Sequence, residues 1–260
     1  MSDELLVVSE LRVEYDGFVA VDGVSFDVPL RSVVGLIGPN GAGKTSIVNA
    51  LSGLARPTAG CVTFAGEDVT GLKASRVPRK GIARTFQSAE LFADLTVDQN
   101  LVASGTRMGP LSAIHDTLFP SRSRDRESIG WARSLCGLEA VASRKPGDLT
   151  LLERRLVVVA RALAQRPRLL LLDEPAAGLA ESESAELAAR LSSFARRGLS
   201  LLIVDHDLEL VLGLSDRVIV LDAGRVIARG SPNQVRSDPE VIRRYLGSGA
   251  QGLRDPGTTR

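Results

Sequence analysis

The sequence predicts an α/β fold with a mainly parallel sheet, an antiparallel β-subdomain and an inserted helical subdomain. Three observations carry that expectation. First, Gly38-Pro39-Asn40-Gly41-Ala42-Gly43-Lys44-Thr45 follows a short apolar run at 33–37 and precedes Ile47, Ala50, Leu51 and Leu54 at helical spacing, the order strand, glycine-rich loop, helix. Second, residues 169–172 and 201–204 are continuous apolar runs that end in acidic residues, as expected of strands buried on both faces of a parallel sheet. Third, between 105 and 145 the texture changes to helical segments interrupted by Pro110 and Pro120.

Residues 5–13 and 23–28 are rich in Val, Leu and Phe and are separated by Asp16-Gly17 and Asp22-Gly23, which predicts antiparallel strands joined by turns. Tyr15 ends the first of them. A strand aromatic is usually packing, but one just upstream of a glycine-rich loop can also stack on a base. The loop matches G-x-x-x-x-G-K-[ST]. Its backbone N–H groups, from Gly38 through Gly41, Ala42 and Gly43, close around phosphates, with Lys44 on the terminal phosphate, Thr45 on Mg²⁺, and the helix N-terminus facing the anion. The bland alternative is a glycine-rich turn that happens to hold a lysine. Strands follow at 61–64 and 81–86, the second ending at Gln87, which means nothing without context.

The charged run at 121–127 reads as a solvated loop and helix start. Trp131, Leu135 and Leu138 read as subdomain core, and His115 has no assigned role. Thr150 and Glu153 have the spacing of a capping box, opening a helix with an apolar stripe of Leu156, Val159, Ala160 and Leu163 that Arg166-Pro167 stops. The strand at 169–172 ends in Asp173-Glu174. In a phosphate-loop protein the first carboxylate can hold Mg²⁺, and the second can orient or deprotonate the attacking water. Leu187, Leu191 and Phe194 mark one face of the next helix, with Gly198 at its end. The strand at 201–204 ends in Asp205-His206-Asp207, where strand C-termini gather at ligands and His206 is well placed to reach a γ-phosphate. Residues 217–221 and 225–228 form a hairpin, and 248–260 is expected to be a flexible tail after one domain spanning 1–247, its helical subdomain at roughly 88–165.

Composition narrows the class. At 260 residues, 44% apolar and 24% charged, the chain has an ordinary globular make-up with room for a sizeable core. A net charge of +1 argues against a nucleic-acid partner held by bulk positive charge. Cys61 and Cys136 are too few for a zinc site or a disulfide framework, which suits a reducing cytoplasm. No apolar run approaches the roughly 18 residues of a membrane span, and the acidic start is unlike a signal peptide.

With these pieces placed, the order of motifs resembles the nucleotide-binding subunits of ABC transporters over nearly the whole chain: an aromatic at Tyr15, GPNGAGKT, ARTFQ, LLLLDEP and LLIVDHD. GIARTFQSAELFADLTVDQNL, LLLLDEPAAGL and EVIRRYLG look like the LivG type of branched-chain amino acid importer ATPase, a look shared by importers of urea and short amides. The resemblance implies a P-loop NTPase core of the ABC ATPase kind. ATP and Mg²⁺ would be the cofactors. Lys44 would bind the β- and γ-phosphates, Thr45 the Mg²⁺, and Ser46 would be a neighbouring hydroxyl. Gln87 would contact metal or attacking water and report to the membrane subunit. Asp173 would support Mg²⁺, Glu174 would be the catalytic base or water-positioning group, and His206 would contact the γ-phosphate. Residues 91–95 would lie near the surface that receives the membrane subunit.

The implied partners are a second ABC ATPase subunit of LivF-like type, two multi-span permease subunits and, indirectly, an extracytoplasmic solute-binding protein, with no nucleic acid. That places the chain at the cytoplasmic face of the membrane. In the family, LSGGQ at a helix N-terminus is presented to the ATP of the opposite subunit. Here the stretch is Leu149-Thr150-Leu151-Leu152-Glu153: Thr150 keeps a hydroxyl, but two leucines replace glycines and hinder close approach to a phosphate. Ala180 replaces the usual Asp or Asn in the loop that crosses the dimer interface. The reading is therefore an ATP hydrolase working beside a different ATPase subunit, expected to give one competent and one impaired site; the bland alternative is a subfamily with its own signature, in which Thr150 and the helix N-terminus suffice. Its rivals are an ATP-dependent dimerisation switch with weak hydrolysis and a soluble ABC ATPase of DNA repair or translation. The last usually has a paired cassette or a coiled-coil insertion, and this chain has neither.

Overall fold

The computed structural model of the chain describes residues 4–85, 91–105, 122–205 and 207–246. Two sheets carry the fold. β1 (Glu4–Tyr15), β2 (Phe18–Pro29), β4 (Ala59–Phe64) and β5 (Glu67–Asp68) form an antiparallel sheet in the order β2-β1-β4-β5. The second sheet has the order β10-β9-β3-β8-β7-β6, built from β3 (Val33–Ile37), β6 (Ile82–Arg84), β7 (Leu169–Asp173), β8 (Ser200–Val204), β9 (Arg217–Asp222) and β10 (Arg225–Gly230). β3, β6, β7, β8 and β9 run parallel, and β10 returns antiparallel on the edge.

The apolar runs find their explanation in two cores. Val34, Leu36, Leu169, Leu171, Leu202 and Val204 face one hydrophobic cluster. Their alternate neighbours Val33, Ile37, Leu170, Leu172, Leu201 and Ile203 face the other. A strand with both faces buried has no polar positions to alternate with. Burying each leucine side chain is worth about 2 kcal/mol relative to leaving it exposed. The first cluster also holds α1 (Lys44–Leu51) through Ile47 and Val48 together with Leu6, Val8 and Phe64 of the antiparallel sheet, so α1 lies between the sheets.

Among the described residues between β6 and β7 the regular elements are helices: after α2 (Val77–Lys80), which precedes β6, come α3 (Val97–Gly105), α4 (Arg122–Cys136) and α5 (Leu151–Leu163). Val97, Leu101, Ala132, Leu135, Leu138, Leu152 and Leu156 pack in the second cluster. Trp131 is partly buried and carries the Arg166 guanidinium over its ring at 4.3 Å. Then follow α6 (Glu181–Arg196), α7 (Leu208–Leu214), α8 (Pro232–Ser237) and α9 (Pro239–Leu246). His115, Pro110 and Pro120 lie outside the described residues.

Two expectations are corrected. Asp22-Gly23 is not a turn: β2 runs through it, and Gly23 at φ 67° marks an irregular register against β1, where Glu10 also has positive φ. A glycine inside an apolar alternation signals a bulge as readily as a turn. Leu54 lies beyond α1, which ends at Leu51, and is exposed rather than on the helix's buried face.

Candidate functional site

β3 delivers the chain into the glycine-rich loop, and close backbone packing fixes the loop's shape. A Cβ on Gly38 would lie 2.4 Å from Leu221 O, and one on Gly43, at φ 100°, would lie 2.4 Å from Ala20 O. Both glycines are thus demanded by neighbouring backbone, β9 on one side and β2 on the other. The turn between β9 and β10 completes the brace: Gly224 N donates to Ala42 O at 3.1 Å, and Asp22 N donates to Gly224 O at 2.8 Å. Ala42 is buried, while Pro39, Asn40, Gly41 and Thr45 are exposed and Ser46 is half-buried. The loop is therefore open to the surface.

Lys44 opens α1 and is buried, its Nζ donating to Gly38 O at 2.6 Å and Pro39 O at 2.9 Å. Burial pushes its ammonium below the usual lysine range, and the charges of Glu174 and Asp173 oppose that shift. Gly43, the N-cap of α1, has no side chain to cap the helix, so the first N–H groups of α1 find no side-chain acceptor at that position. A desolvated cation and a helix N-terminus converge on one backbone loop, an arrangement whose charge suits an anion.

Asp173 and Glu174 reach the site from the end of β7. Asp173 is 5% exposed, and its Oδ2 accepts from Arg84 Nη2 at 2.8 Å. Glu174 takes a left-handed backbone at φ 48°, uncommon for a residue with a side chain, and its N donates to Val204 O at 2.7 Å. Thr85, Arg155, Val158, Val159, Asp173, Glu174 and Pro175 line a crevice of ≈ 10 Å³, about the room for one water. Asp205 is buried. Its Oδ2 accepts from Ala176 N at 3.2 Å and its Oδ1 from Asp207 N at 3.0 Å, which ties the loops after β7 and β8 together. Gln87 and His206 lie outside the described residues. Tyr15, 42% exposed, ends β1 opposite Phe18, two residues from the Ala20 that packs on Gly43.

Thr150 is the N-cap of α5 in a complete capping box. Glu153 N donates to Thr150 Oγ1 at 3.2 Å, and Thr150 N donates to Glu153 Oε2 at 2.8 Å. These bonds stay within the helix end and do not reach the phosphate loop. Only one of the two leucines behaves as expected. Leu151 is 38% exposed, whereas Leu152 turns inward at 7% and joins the core. The physical reason is helical periodicity, which puts Leu152 on the same face as Leu156. Leu151 lies against Gly178, in the loop that follows Glu174. Arg155, on the same helix, donates from Nη2 to Ala177 O at 2.7 Å.

Sequence reasoning passed over Arg84, Arg155 and Asp205. Arg84 left one signal, a charged residue inside an otherwise apolar strand, which the protein interior accepts only with partners.

A family model described as ABC transporter matches residues 21–177, more than half of the chain, and one described as Branched-chain amino acid ATP-binding cassette transporter matches residues 225–251. The chain is 38% identical over 254 residues to the high-affinity branched-chain amino acid transport ATP-binding protein BraF of Pseudomonas aeruginosa, covering 95% of this chain and 99% of that one. It is 35% identical over 253 residues to the LivG protein of the same description from Escherichia coli K12, again over 95% and 99%. Among solved structures, the ADP conformation of an ATP-binding cassette of an ABC transporter superposes with a TM-score of 0.85 at 30% identity, over 95% of this chain and all of that one.

Proposed function

Because the chain belongs to the ABC transporter family, we propose that it is the ATP-binding and hydrolysing subunit of an importer for branched-chain or related amino acids. The observation that carries the reading is the convergence on one surface loop of a buried, desolvated Lys44, an uncapped helix N-terminus and the Asp173-Glu174 pair. Lys44 and the loop N–H groups hold the β- and γ-phosphates. Glu174 orients or deprotonates the attacking water, with Gln87 and His206 completing the shell around the γ-phosphate, and Tyr15 stacks on the base.

Mg²⁺ suits the donor set. The Thr45 hydroxyl is exposed in the first turn of α1. Asp173 commits Oδ2 to Arg84, and its Oδ1 accepts no hydrogen bond among the described residues. Both are hard oxygen donors of the kind this ion takes beside phosphate oxygens, where it neutralises charge on the transferring phosphoryl group.

The open loop supports a site completed by another chain, a second ATPase subunit, with two permease subunits and a solute-binding protein in the assembly. Among the described residues no helix is long and apolar enough to cross a membrane, so contact with the bilayer falls to the permeases. What this chain offers its partner differs from what it keeps. At α5 the Glu153 carboxylate already occupies the positive helix end, and Leu151 faces outward. The partner's ATP therefore meets the weaker half-site, and turnover is concentrated where Lys44 and Glu174 act.

The test is reconstitution of the chain with its neighbouring transporter subunits in proteoliposomes. Leucine-driven ATP hydrolysis is expected to fall by ~10²-fold or more in Glu174→Gln with nucleotide binding retained. The matching change in the partner is expected to cost much less, so equal losses would sink the asymmetry. ATP binding without phosphate release in the intact assembly would favour a dimerisation switch, the reading that Leu151 supports. Uptake of urea or short amides in place of leucine would move the cargo.

A further inference from the structure

β6 consists of Ile82, Ala83 and Arg84, the first two fully apolar and buried. Arg84 is nearly as buried as they are, its side chain 7% exposed beside an Asp173 side chain at 5%. Its guanidinium joins three elements: Nη2 donates to Asp173 Oδ2 on β7 at 2.8 Å, while Nη1 donates to Asn49 Oδ1 at 2.7 Å and to Ser52 Oγ at 2.9 Å. Asn49 lies in the second half of α1 and Ser52 is its C-cap, so the bonds reach the helix that begins at Lys44. Ser52 is itself held, its Oγ donating to Val48 O at 2.7 Å.

We propose that Arg84 is a positioning residue for the ATP reaction, holding Asp173 with one oxygen committed and the other turned to the cation, and locking that carboxylate to the helix that carries Lys44 and Thr45. The inference rests on the Mg²⁺-ATP reading above. The planar fork is what the task requires. A lysine supplies the charge but not donors in the fixed geometry that spans Asp173, Asn49 and Ser52 together. Arg84 donates to Asp173 as well as to Asn49 and Ser52, so its effect on the cation passes through the Asp173 carboxylate.

A buried ion pair that loses one partner destabilises a protein whatever its function, so stability alone does not test the role. The discriminating measurement is binding of a fluorescent ATP analogue to the full-length chain by anisotropy, once in EDTA and once across a Mg²⁺ titration. For Arg84→Lys, affinity in EDTA is expected to match the unsubstituted protein. The Mg²⁺ concentration giving half of the Mg²⁺-dependent gain is expected to rise by roughly tenfold, as for other residues that orient a metal-binding carboxylate. The double variant Asn49→Ala, Ser52→Ala keeps the Arg84–Asp173 pair while freeing it from α1, and a smaller rise is expected there. If Arg84→Lys fails to fold, the double variant carries the test. A Mg²⁺ dependence unchanged in the folded variants overturns the proposal, and so does an equal loss of affinity with and without Mg²⁺. Absence of binding by the unsubstituted chain in both buffers would instead overturn the nucleotide reading on which the proposal stands.

Discussion

Gly43 shows how little freedom the phosphate loop has. Its backbone is left-handed, and Ala20 O lies 2.4 Å from where a Cβ would stand, which leaves no space for any side chain. Gly43→Ala is expected to lower stability by about 1–3 kcal/mol, read from urea unfolding, and to abolish ATP-analogue binding. Lys44→Ala removes the buried cation itself, which donates to Gly38 O and Pro39 O and feels the charges of Glu174 and Asp173, and binding is expected to fall by roughly a hundredfold, measured beside an unfolding curve of the same variant. The cysteines give an independent check on packing. Cys61 is exposed, whereas Cys136 is buried, and burial pushes its thiol well above the usual range. A thiol reagent is expected to label Cys61 in the native protein and Cys136 only after denaturation, and rapid labelling of both would contradict the packing at the end of α4.

At the scale of single elements, α5 is the most fully specified by local sequence. The Thr150–Glu153 box, the inward stripe from Leu152 to Leu163 and the exposed Leu151 all follow from helical periodicity and capping chemistry. Thr150→Ala is expected to cost about 1 kcal/mol in thermal or chemical unfolding. The same regularity made β7 and β8 legible, since four or five consecutive apolar residues ending in Asp fit a strand with two covered faces. The failures have local causes too. Asp22-Gly23 carries turn chemistry, but strand pairing on both sides of Gly23 overrides it. The likeness of 149–153 to a glycine-bearing motif says nothing of which face each leucine takes, and only the helical spacing from Leu152 to Leu156 does. Arg84 was missed because its meaning depends on Asp173 and Asn49, 89 and 35 residues away, and separations of that kind leave no periodic trace.

For the whole molecule, the glycine-rich loop and the Asp173-Glu174 pair were readable, but the order of the strands was not. β3 sits between β8 and β9, a placement that requires crossovers no local pattern encodes. Removing residues 217–260 takes away β9 and β10 and with them the Gly224 brace on Ala42 and the Leu221 carbonyl packed on Gly38. The truncated chain is expected to lose ATP-analogue binding even though every residue of the phosphate loop remains, and retained binding would show that the brace is dispensable.

The same brace has a consequence for how the protein is made. A ribosome finishes the phosphate loop early, yet both strands that flank β3 and the turn that pins Ala42 belong to the last quarter of the chain. At the ordinary pace of about 5–20 residues per second, roughly ten seconds or more of synthesis separate the loop from its supports. Throughout that interval the buried residues of β3 have no neighbours in their own sheet. Until the final hairpin emerges, Val34 and Leu36 of that strand can bury against the parts of their cluster made earlier, the antiparallel sheet and α1.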